Sequence, residues 1–184
     1  EIIVVDDASD DQTNLVINSF GKLIKKLKNS KNMGLPYSLN KAIKKSIGKY
    51  IVRVDADDYV NEHFISMLLY SISEKFQKSD AIACDYYEVS EDEKFLKKVS
   101  STHSPIGCGI IFKKKDLLSI GCYDTEMHLN EEVDLRIRFE KKYTIGHLPL
   151  PLYRYRKHKK NSTKNSEKLN FYKKKLTLKY KWIV

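Results

Sequence analysis

The sequence lacks the marks of several protein classes. Its three cysteines are scattered without CxxC spacing, which argues against a disulfide framework and favours a reducing cytosol. No apolar run approaches the ~20 residues that a membrane-spanning helix needs. Glycine and proline are scarce, at 7 and 4 residues of 184, and no Pro/Gly-rich linker or internal repeat divides the chain. These absences leave one globular α/β domain with a full core as the expected organisation.

The positive charge is concentrated in the last part of the chain. Residues 157–184 carry ten lysines and one acid, Glu167, and so supply +9 of the net charge of +10. The first 156 residues hold 24 basic and 23 acidic side chains, so the body is not a nucleic-acid-binding surface by charge. We expect a basic helix from Ser166 to Trp182, whose interleaved aromatic residues suit an anionic bilayer or a lipid-linked acceptor. A solvated helix or a disordered end is the alternative.

Two predicted strands end in clustered carboxylates. The apolar run of residues 1–5 predicts a buried strand, and Asp6 and Asp7 follow it. The alternating residues 49–55 predict a second strand, which ends in Asp55, Asp57 and Asp58. Carboxylates so close together repel one another unless a cation lies between them, and Mg²⁺ or Mn²⁺ prefers such oxygen ligands. An acidic turn that caps the next helix is the other reading.

A third acidic cluster begins a predicted helix. Asn130 is the expected N-cap, and Glu131, Glu132 and Asp134 occupy the first turn, where carboxylates stabilise a helix. In open α/β sheets, ligands bind at the carboxyl ends of the strands. Together the three clusters therefore indicate one shared site for a cation and a phosphate group. The remaining periodicity predicts helices near residues 12–20, 35–47, 61–76 and 113–120, and strands near 23–27, 81–89, 95–99, 106–112, 143–148 and 152–156.

The order of these motifs resembles family 2 glycosyltransferases with the GT-A fold, a Rossmann-like, mixed but mostly parallel sheet flanked by helices. The processive-synthase motif QxxRW is absent, which favours transfer of single sugars. The resemblance covers residues 1–163, with 164–184 as a basic amphipathic helix or tail. The matching segments are Val4–Asp11 (VDDxSxD), Asn32–Gly34 with Asn40–Ala42 (NxG and NxA), Val54–Asp58 (DADD), Glu131–Leu135 (EDxDL) and Tyr153–Ser162 (YRxHxxNS).

The resemblance implies a role for each matching residue. Asp6, Asp7, Asn40, Asp55 and Asp57 would bind the nucleotide sugar. Asp57 and Asp58, with His158, would hold Mg²⁺ or Mn²⁺ against the diphosphate. Glu132 would be the base of an inverting single displacement, with Glu131 and Asp134 beside it. For His158 the plain alternative is an exposed histidine in a basic tail. Asn40 could be an ordinary polar helix residue, and Glu131 and Asp134 ordinary first-turn carboxylates.

Two departures from the family pattern affect the expectation. The family usually has Asp at Glu132, and the extra methylene moves the carboxylate by roughly 1 Å. Family members also have a strand and a helix before the VDD strand, whereas this sequence starts at the VDD strand. In the family sheet that additional strand lies between the VDD strand and the strand that leads to the DADD motif. Without it, the two strands would pair directly or leave backbone groups unpaired. We therefore expect an N-terminally truncated glycosyltransferase with weak or no transfer activity by itself.

The resemblance implies an inverting, metal-dependent bacterial enzyme of cell-surface polysaccharide synthesis. Its partners would be a nucleotide-diphospho-sugar donor and a glycan or lipid-linked acceptor, with nucleic acid disfavoured. A cytoplasmic location follows, with peripheral contact at the inner face of the membrane. The alternatives are an inactive fragment and a basic module that binds anionic membrane or nucleic acid through residues 157–184. A sugar-nucleotide pyrophosphorylase is disfavoured because its Gly-rich N-terminal loop is not seen.

Overall fold

The computed structural model describes residues 1–76, 78–158, 161 and 165–181. Within these residues the chain forms helices and strands in a mixed order. The helices are α1 (Thr13–Ser19), α2 (Leu35–Lys45), α3 (Phe64–Tyr70, continued by a π-helical turn), α4 (Lys114–Ser119), α5 (Glu131–Glu140) and α6 (Ser166–Lys179). The strands are β1 (Ile3–Asp6), β2 (Lys25–Lys28), β3 (Tyr50–Val52), β4 (Tyr59–Val60), β5 (Ala81–Ser90), β6 (Phe95–Val99), β7 (Ile110–Lys113) and β8 (Ile145–Lys157).

The strands form two sheets. A main sheet of six strands has the order β3-β7-β5-β8-β4, with β6 paired to β5, and β1 pairs with β2 in a separate parallel sheet. The mixed α/β class is confirmed. Among the described strands, however, only β1–β2 and β5–β8 are parallel pairs, and the other four pairs are antiparallel. This corrects the expectation of a mostly parallel sheet; the tight turn between β5 and β6, for example, can only give antiparallel neighbours.

Two sequence predictions at the ends of elements need correction. The predicted strands 143–148 and 152–156 are one strand, β8, whose pairing register with β5 shifts near Pro149 and Pro151. Proline has no amide hydrogen for the ladder, so the register shifts there and the strand continues.

Asn130 is at the N-cap of α5 as predicted, but its φ is +58° and its side chain makes no capping hydrogen bond. The predicted domain boundary at 163/164 and the end of the basic helix at Trp182 lie outside the described residues.

The main sheet separates two apolar cores. One face packs against α3, where Phe64 and Leu68 are fully buried beside Tyr153 of β8. The other face packs against α4 and α5, with Leu117 and Phe139 at its centre. Strand β3 contributes Val52 to the first core and Ile51 to the second, and α5 packs in the second. The carboxyl end of β3 and the amino end of α5 carry the acidic clusters that the sequence singled out.

β1 and β3 do not pair with each other among the described residues. A cavity of about 450 Å³ lies between them, lined by Val4 and Val5 from β1, Ile51 from β3 and Leu39 and Ala42 from α2. Of the two outcomes expected from the sequence, the structure thus shows unpaired strand edges and not a direct pair. The cavity continues to Arg53 and Asp55 at the end of β3, so it opens towards the acidic cluster.

Candidate active site

The DADD segment forms a turn at the end of β3. The amide of Asp58 donates to the carbonyl of Asp55 at 3.1 Å. The Asp58 carboxylate accepts hydrogen bonds from the Tyr153 hydroxyl at 2.7 Å and from the amide of Arg156 at 2.8 Å. Burial raises the pKa of Asp58 to about 6, and the neighbouring charge of Asp57 adds to the increase against these two hydrogen bonds. The hydrogen bonds from Tyr153 and Arg156 therefore do not fully offset the effects of burial and of the neighbouring carboxylates on Asp58.

The carboxylates of this turn fall into two groups. Oxygens of Asp55 and Asp58 lie within 4.8 Å of each other and of the Cys108 sulfur. Asp57 instead pairs with His158, whose Nε2 is 2.8 Å from its carboxylate. The predicted trio of Asp57, Asp58 and His158 is thus divided between an Asp57–His158 pair and an Asp55–Asp58 pair.

These residues fit a hard divalent ion. The two close carboxylates of Asp55 and Asp58 are the oxygen ligands that Mg²⁺ and Mn²⁺ prefer. Burial raises the pKa of the Cys108 thiol well above its usual range, so the thiol stays protonated beside the carboxylates. Cys108 therefore lines the site without being a suitable ligand for such an ion.

Arg53 joins the DADD turn to helix α5. Its guanidinium binds both oxygens of Asp55, at 2.7 and 2.9 Å, and donates to Glu131 at 3.0 Å. Only 10% of the Arg53 side chain is exposed, so these charge-assisted bonds are shielded from water. Sequence reasoning missed this residue. The available signal was the strand period of two, which puts residues 53 and 55 on the same face of the strand.

Gly107 gives Arg53 and α5 the space to meet. A Cβ built there would lie 2.7 Å from a guanidinium nitrogen of Arg53 and 3.0 Å from Cβ of Glu132. Both distances are too short for any larger residue without movement of these side chains. The glycine at position 107 therefore permits a close approach between groups of the site itself.

Glu131 and Glu132 have different environments. Glu131 is buried and paired with Arg53. Glu132 lines a small cavity of about 70 Å³ beside Gly107. Burial, and next the charge of Glu131, raise the pKa of Glu132 to about 7, although Arg53 opposes the increase. A carboxyl group that titrates near neutral pH is suited to accept a proton, and Glu131 is occupied by its ion pair with Arg53.

Asp134 faces away from this pair. Its carboxylate is fully buried and binds Arg138 at 2.8 Å, Lys179 at 2.5 Å and the Tyr180 hydroxyl at 2.7 Å. Two of these partners belong to the C-terminal part of the chain. All its described contacts are therefore structural, and the structure does not bring Asp134 together with Glu131 and Glu132.

The two aspartates at the carboxyl end of β1, Asp6 and Asp7, organise the loops around them. Asp7 accepts hydrogen bonds from the Asn29 side chain and from the amides of Met33 and Gly34, at 2.7 to 2.8 Å. Burial opposes ionisation, but these hydrogen bonds hold the pKa of Asp7 below its usual range. Asp6 is buried, accepts from the amide of Ser9 at 2.8 Å and has Lys28 at 3.4 Å. Asp7 thus links the VDD motif to the NxG motif.

Asn40 connects α2 to the segment before α5. Its side-chain nitrogen donates to the Tyr123 carbonyl at 2.8 Å, and its oxygen accepts from the Tyr123 amide at 2.9 Å. This pair of bonds occupies both ends of the carboxamide. The contact places α2, which begins directly after Gly34, next to the segment that leads to Glu131 and Glu132.

The fold and the acidic cluster define a class of protein. A mixed sheet with helices on its faces, carrying a DADD turn beside a carboxylate-led helix, is the GT-A arrangement of nucleotide-sugar-dependent transferases. The Glycosyl transferase family 2 model matches residues 1–138. The chain therefore belongs to family 2 of the glycosyltransferases, which confirms the resemblance.

Similar proteins support this membership. An uncharacterized glycosyltransferase of Rickettsia prowazekii, RP339, is 31% identical over 161 residues, covering 76% of this chain and 49% of that protein. Glycosyltransferase GlyG of Streptococcus pneumoniae is 31% identical over 96 residues, covering 50% of this chain and 31% of GlyG. The chain thus spans about half or less of the length of these relatives.

Solved structures show the same fold. Residues 1–349 of S. aureus TarS match with a TM-score of 0.70 at 21% identity, over 85% of this chain and 51% of that one. The same region of TarS in complex with UDP matches with a TM-score of 0.67 at 19% identity, over 100% of this chain and 63% of that one. Separately, none of the helices in the described parts of the chain is both long and apolar enough to span a bilayer.

Proposed function

We propose that this chain carries the donor site and the base of an inverting, metal-dependent glycosyltransferase. The enzyme would transfer a single sugar from a nucleotide-diphospho-sugar to a glycan or lipid-linked acceptor in cell-surface polysaccharide synthesis. The observation that carries the proposal is the Arg53 bridge, which places Asp55 of the DADD turn next to Glu131 and Glu132 of α5. Donor-side and base-side carboxylates are then joined through one guanidinium. The complex of TarS with UDP supports a nucleotide-sugar donor.

Glu132 is the group we assign as the base. In an inverting displacement the acceptor oxygen attacks the anomeric carbon, the bond to the diphosphate oxygen breaks, and the diphosphate leaves with that electron pair. The proton of the acceptor hydroxyl goes to Glu132, whose pKa of about 7 allows it to be ionised before the reaction and protonated after it. Glu131 is paired with Arg53 and is therefore not assigned as the base.

The DADD residues bind the donor diphosphate. Asp57 and Asp58, with Asp55 and His158 beside them, would hold Mg²⁺ or Mn²⁺. A divalent ion bound there offsets the negative charge that develops on the departing diphosphate. Asp7 keeps the amides of Met33 and Gly34 in place near the donor, and Tyr153 orients Asp58 through its hydroxyl.

Calorimetric titration of UDP, GDP and dTDP, each with and without Mn²⁺, tests the donor assignment. We expect at least one nucleotide to bind, and to bind more tightly with Mn²⁺. Asp57→Ala should remove the effect of the metal, while Asp92→Ala, a change in the exposed turn between β5 and β6, should leave it intact. Equal binding by wild type and Asp57→Ala would contradict the metal assignment.

The base assignment has a separate test. Glu132→Gln keeps the shape of the side chain and removes its capacity to accept a proton. We expect the variant to bind the nucleotide as the wild type does and to lose sugar transfer by a factor of 10² or more. Transfer within threefold of wild type would exclude Glu132 as the base.

A peripheral contact with anionic membrane is a second proposal, supported by the outer face of α6. Phe171 and Leu178 are 62% and 66% exposed there, and their spacing of seven residues puts them on one side of the helix together with Lys174. Lys168, Lys173 and Lys174 make no ion pair with the described residues. Exposed apolar residues among unpaired lysines are the pattern of a helix that lies on an anionic bilayer.

Co-sedimentation with vesicles tests this contact. The protein should bind vesicles that contain anionic phosphatidylglycerol and not neutral phosphatidylcholine vesicles, and the double change of Phe171 and Leu178 to serine should weaken binding about tenfold. Leu118→Ser, on an exposed face of α4, is the matched control. If the protein binds a DNA oligonucleotide and does not bind the anionic vesicles, the partner of α6 is nucleic acid and not membrane.

A further inference from the structure

The inner face of α6 packs on the segment that leads into α5. Tyr172 is buried there against Met127 and Leu129, with Leu169 and Leu176 beside it. Residues 122–130, which we call the linking segment, end directly before Glu131 and Glu132. A helix that reads from its composition as a basic tail is therefore part of the folded domain.

Polar contacts fix the far end of the same helix. Lys179 binds Asp124 and Asp134, each at 2.5 Å, and the Tyr180 hydroxyl donates to Asp134 at 2.7 Å. Lys175 donates to the carbonyl of Glu126 at 2.8 Å. The contacts with Asp124 and Glu126 are on the linking segment, and Asp134 is in the first turn of α5. Both ends of the linking segment are therefore tied to α6.

The other side of the linking segment touches the donor loop. Asn40 of α2 pairs with the backbone of Tyr123. The His128 ring lies so close to Gly34 that a Cβ built on the glycine would be 2.7 Å from Nδ1. The same ring meets Tyr172 of α6 edge-on, at 6.0 Å between centroids. Tyr172, His128 and Gly34 thus form a continuous contact from α6 to the loop that Asp7 holds.

We propose that α6 is a clamp on the active site, in which Tyr172, Tyr180 and Asp134 are positioning residues. Through the linking segment these residues hold His128 against Gly34. They also fix the first turn of α5, which contains Glu131 and Glu132. The effect on catalysis rests on the proposed function, whereas the positioning itself does not.

The burial of Asp134 makes the clamp cooperative. A carboxylate with no exposed surface depends on its hydrogen-bond donors. Of its three donors, only Arg138 lies on the same helix, and Arg138 also donates to the carbonyls of Ile120 and Cys122 at 2.7 Å. Removal of the α6 donors would leave Asp134 with one partner and loosen the start of α5 and the linking segment together.

Hydrogen exchange and NMR test the clamp independently of any activity. Tyr172→Ala should speed amide exchange in residues 122–134 about tenfold or more and move the amide resonance of Gly34. Tyr180→Phe, which removes one hydroxyl, should speed exchange in the first turn of α5 about threefold or more. Tyr172→Phe keeps the ring and should restore the Gly34 resonance. Asn170→Ala, an exposed position on the same helix, is the matched control and should change neither.

The nucleotide titration separates this inference from the proposed function. If wild type binds UDP, Tyr172→Ala should weaken UDP binding about threefold to tenfold and Asn170→Ala should not. If wild type binds none of the three nucleotides, the proposed function fails, and the exchange and NMR results still decide on the clamp. The clamp is overturned if Tyr172→Ala speeds exchange only within residues 165–181, or if Asn170→Ala moves the Gly34 resonance as much.

Discussion

Arg53 and Glu131 are 78 residues apart in the sequence, and their side chains meet in a 3.0 Å ion pair that joins the end of β3 to the start of α5. The same guanidinium binds Asp55 through both carboxylate oxygens. One buried cation thus sets the distance between the DADD turn and the helix that carries Glu132. The geometry of the site depends on this bridge as much as on the acidic residues themselves.

Loss of Arg53 should destabilise the fold strongly. Arg53→Gln would leave Asp55 and Glu131 without their cation in a shielded position, and we expect a cost of about 3–5 kcal/mol in the free energy of unfolding. Arg53→Lys should cost less than Arg53→Gln because the charge remains while the two-pronged contact is lost. Urea denaturation at pH 7 measures both.

The exposed pair of Arg136 and Glu140, at 2.9 Å on α5, provides the control. Arg136→Gln should cost no more than about 0.5 kcal/mol, as is usual for a surface pair four residues apart on a helix. Equal costs for Arg53→Gln and Arg136→Gln would show that the buried bridge adds nothing to stability.

Glu132 should make stability depend on pH. Its carboxyl group has a pKa of about 7 in the folded state against an ordinary value of 4.5, so the folded state binds the proton more tightly than the unfolded state. Its contribution therefore lowers stability as pH rises from the unfolded pKa through the folded pKa. Glu132→Gln, which removes the charge, should stabilise the protein by about 2 kcal/mol at pH 8 and by less than about 1 kcal/mol at pH 5.

Thermal and urea unfolding at the two pH values give this comparison. Glu140→Gln, on the exposed end of the same helix, controls for the general effect of removing a carboxylate from α5. A stability difference between Glu132→Gln and wild type that is equal at pH 5 and pH 8 would show that Glu132 does not titrate between them.

The acidic clusters could be predicted from the sequence because each is a local pattern. Asp6 and Asp7 follow an apolar strand directly, and the DADD turn follows another, so the order of strand and carboxylates is readable from neighbouring residues. The confirmed family and the mixed α/β class rest on such local motifs in a fixed order. The site roles of these residues remain predictions.

The contacts between distant residues could not be predicted in the same way. Asp134 has the sequence neighbours of a catalytic-motif residue, yet Lys179 and Tyr180, more than 40 positions later, account for two of its three partners. Periodicity gave α6 as a helix but did not indicate which surface would cover it. The sequence left open whether β1 and β3 pair directly or leave unpaired edges, and the cavity between them, lined also by α2, shows the second outcome.

Gly34 should be needed for more than its backbone conformation. Gly34 and Gly121 have φ angles of +85° and +84°, so alanine at either position costs about 1–2 kcal/mol of backbone strain. At Gly121 no atom lies within 4 Å of the added Cβ, whereas at Gly34 the His128 ring is 2.7 Å away. We expect both variants to lose similar stability, but only Gly34→Ala to weaken nucleotide binding about tenfold.

The double change Gly34→Ala with His128→Ala separates the two effects. It removes the clash and should recover binding relative to Gly34→Ala alone, as a double-mutant cycle on the nucleotide titration would show. Equal binding by the Gly34→Ala and Gly121→Ala variants would leave the His128 contact without a role in the donor loop.

The cavity between β1 and β3 should accept added side-chain volume. Ala42 of α2 lines this cavity of about 450 Å³, so Ala42→Leu buries new apolar surface without displacing a neighbour, and we expect a gain of about 1 kcal/mol in the free energy of unfolding. Ala83 of β5 is buried in the packed core, so the matched change Ala83→Leu should cost about 1–3 kcal/mol through overpacking. Urea denaturation compares the two, and binding of an apolar fluorescent dye should fall in Ala42→Leu alone. Losses of similar size in both variants would mean that the space beside Ala42 closes in solution.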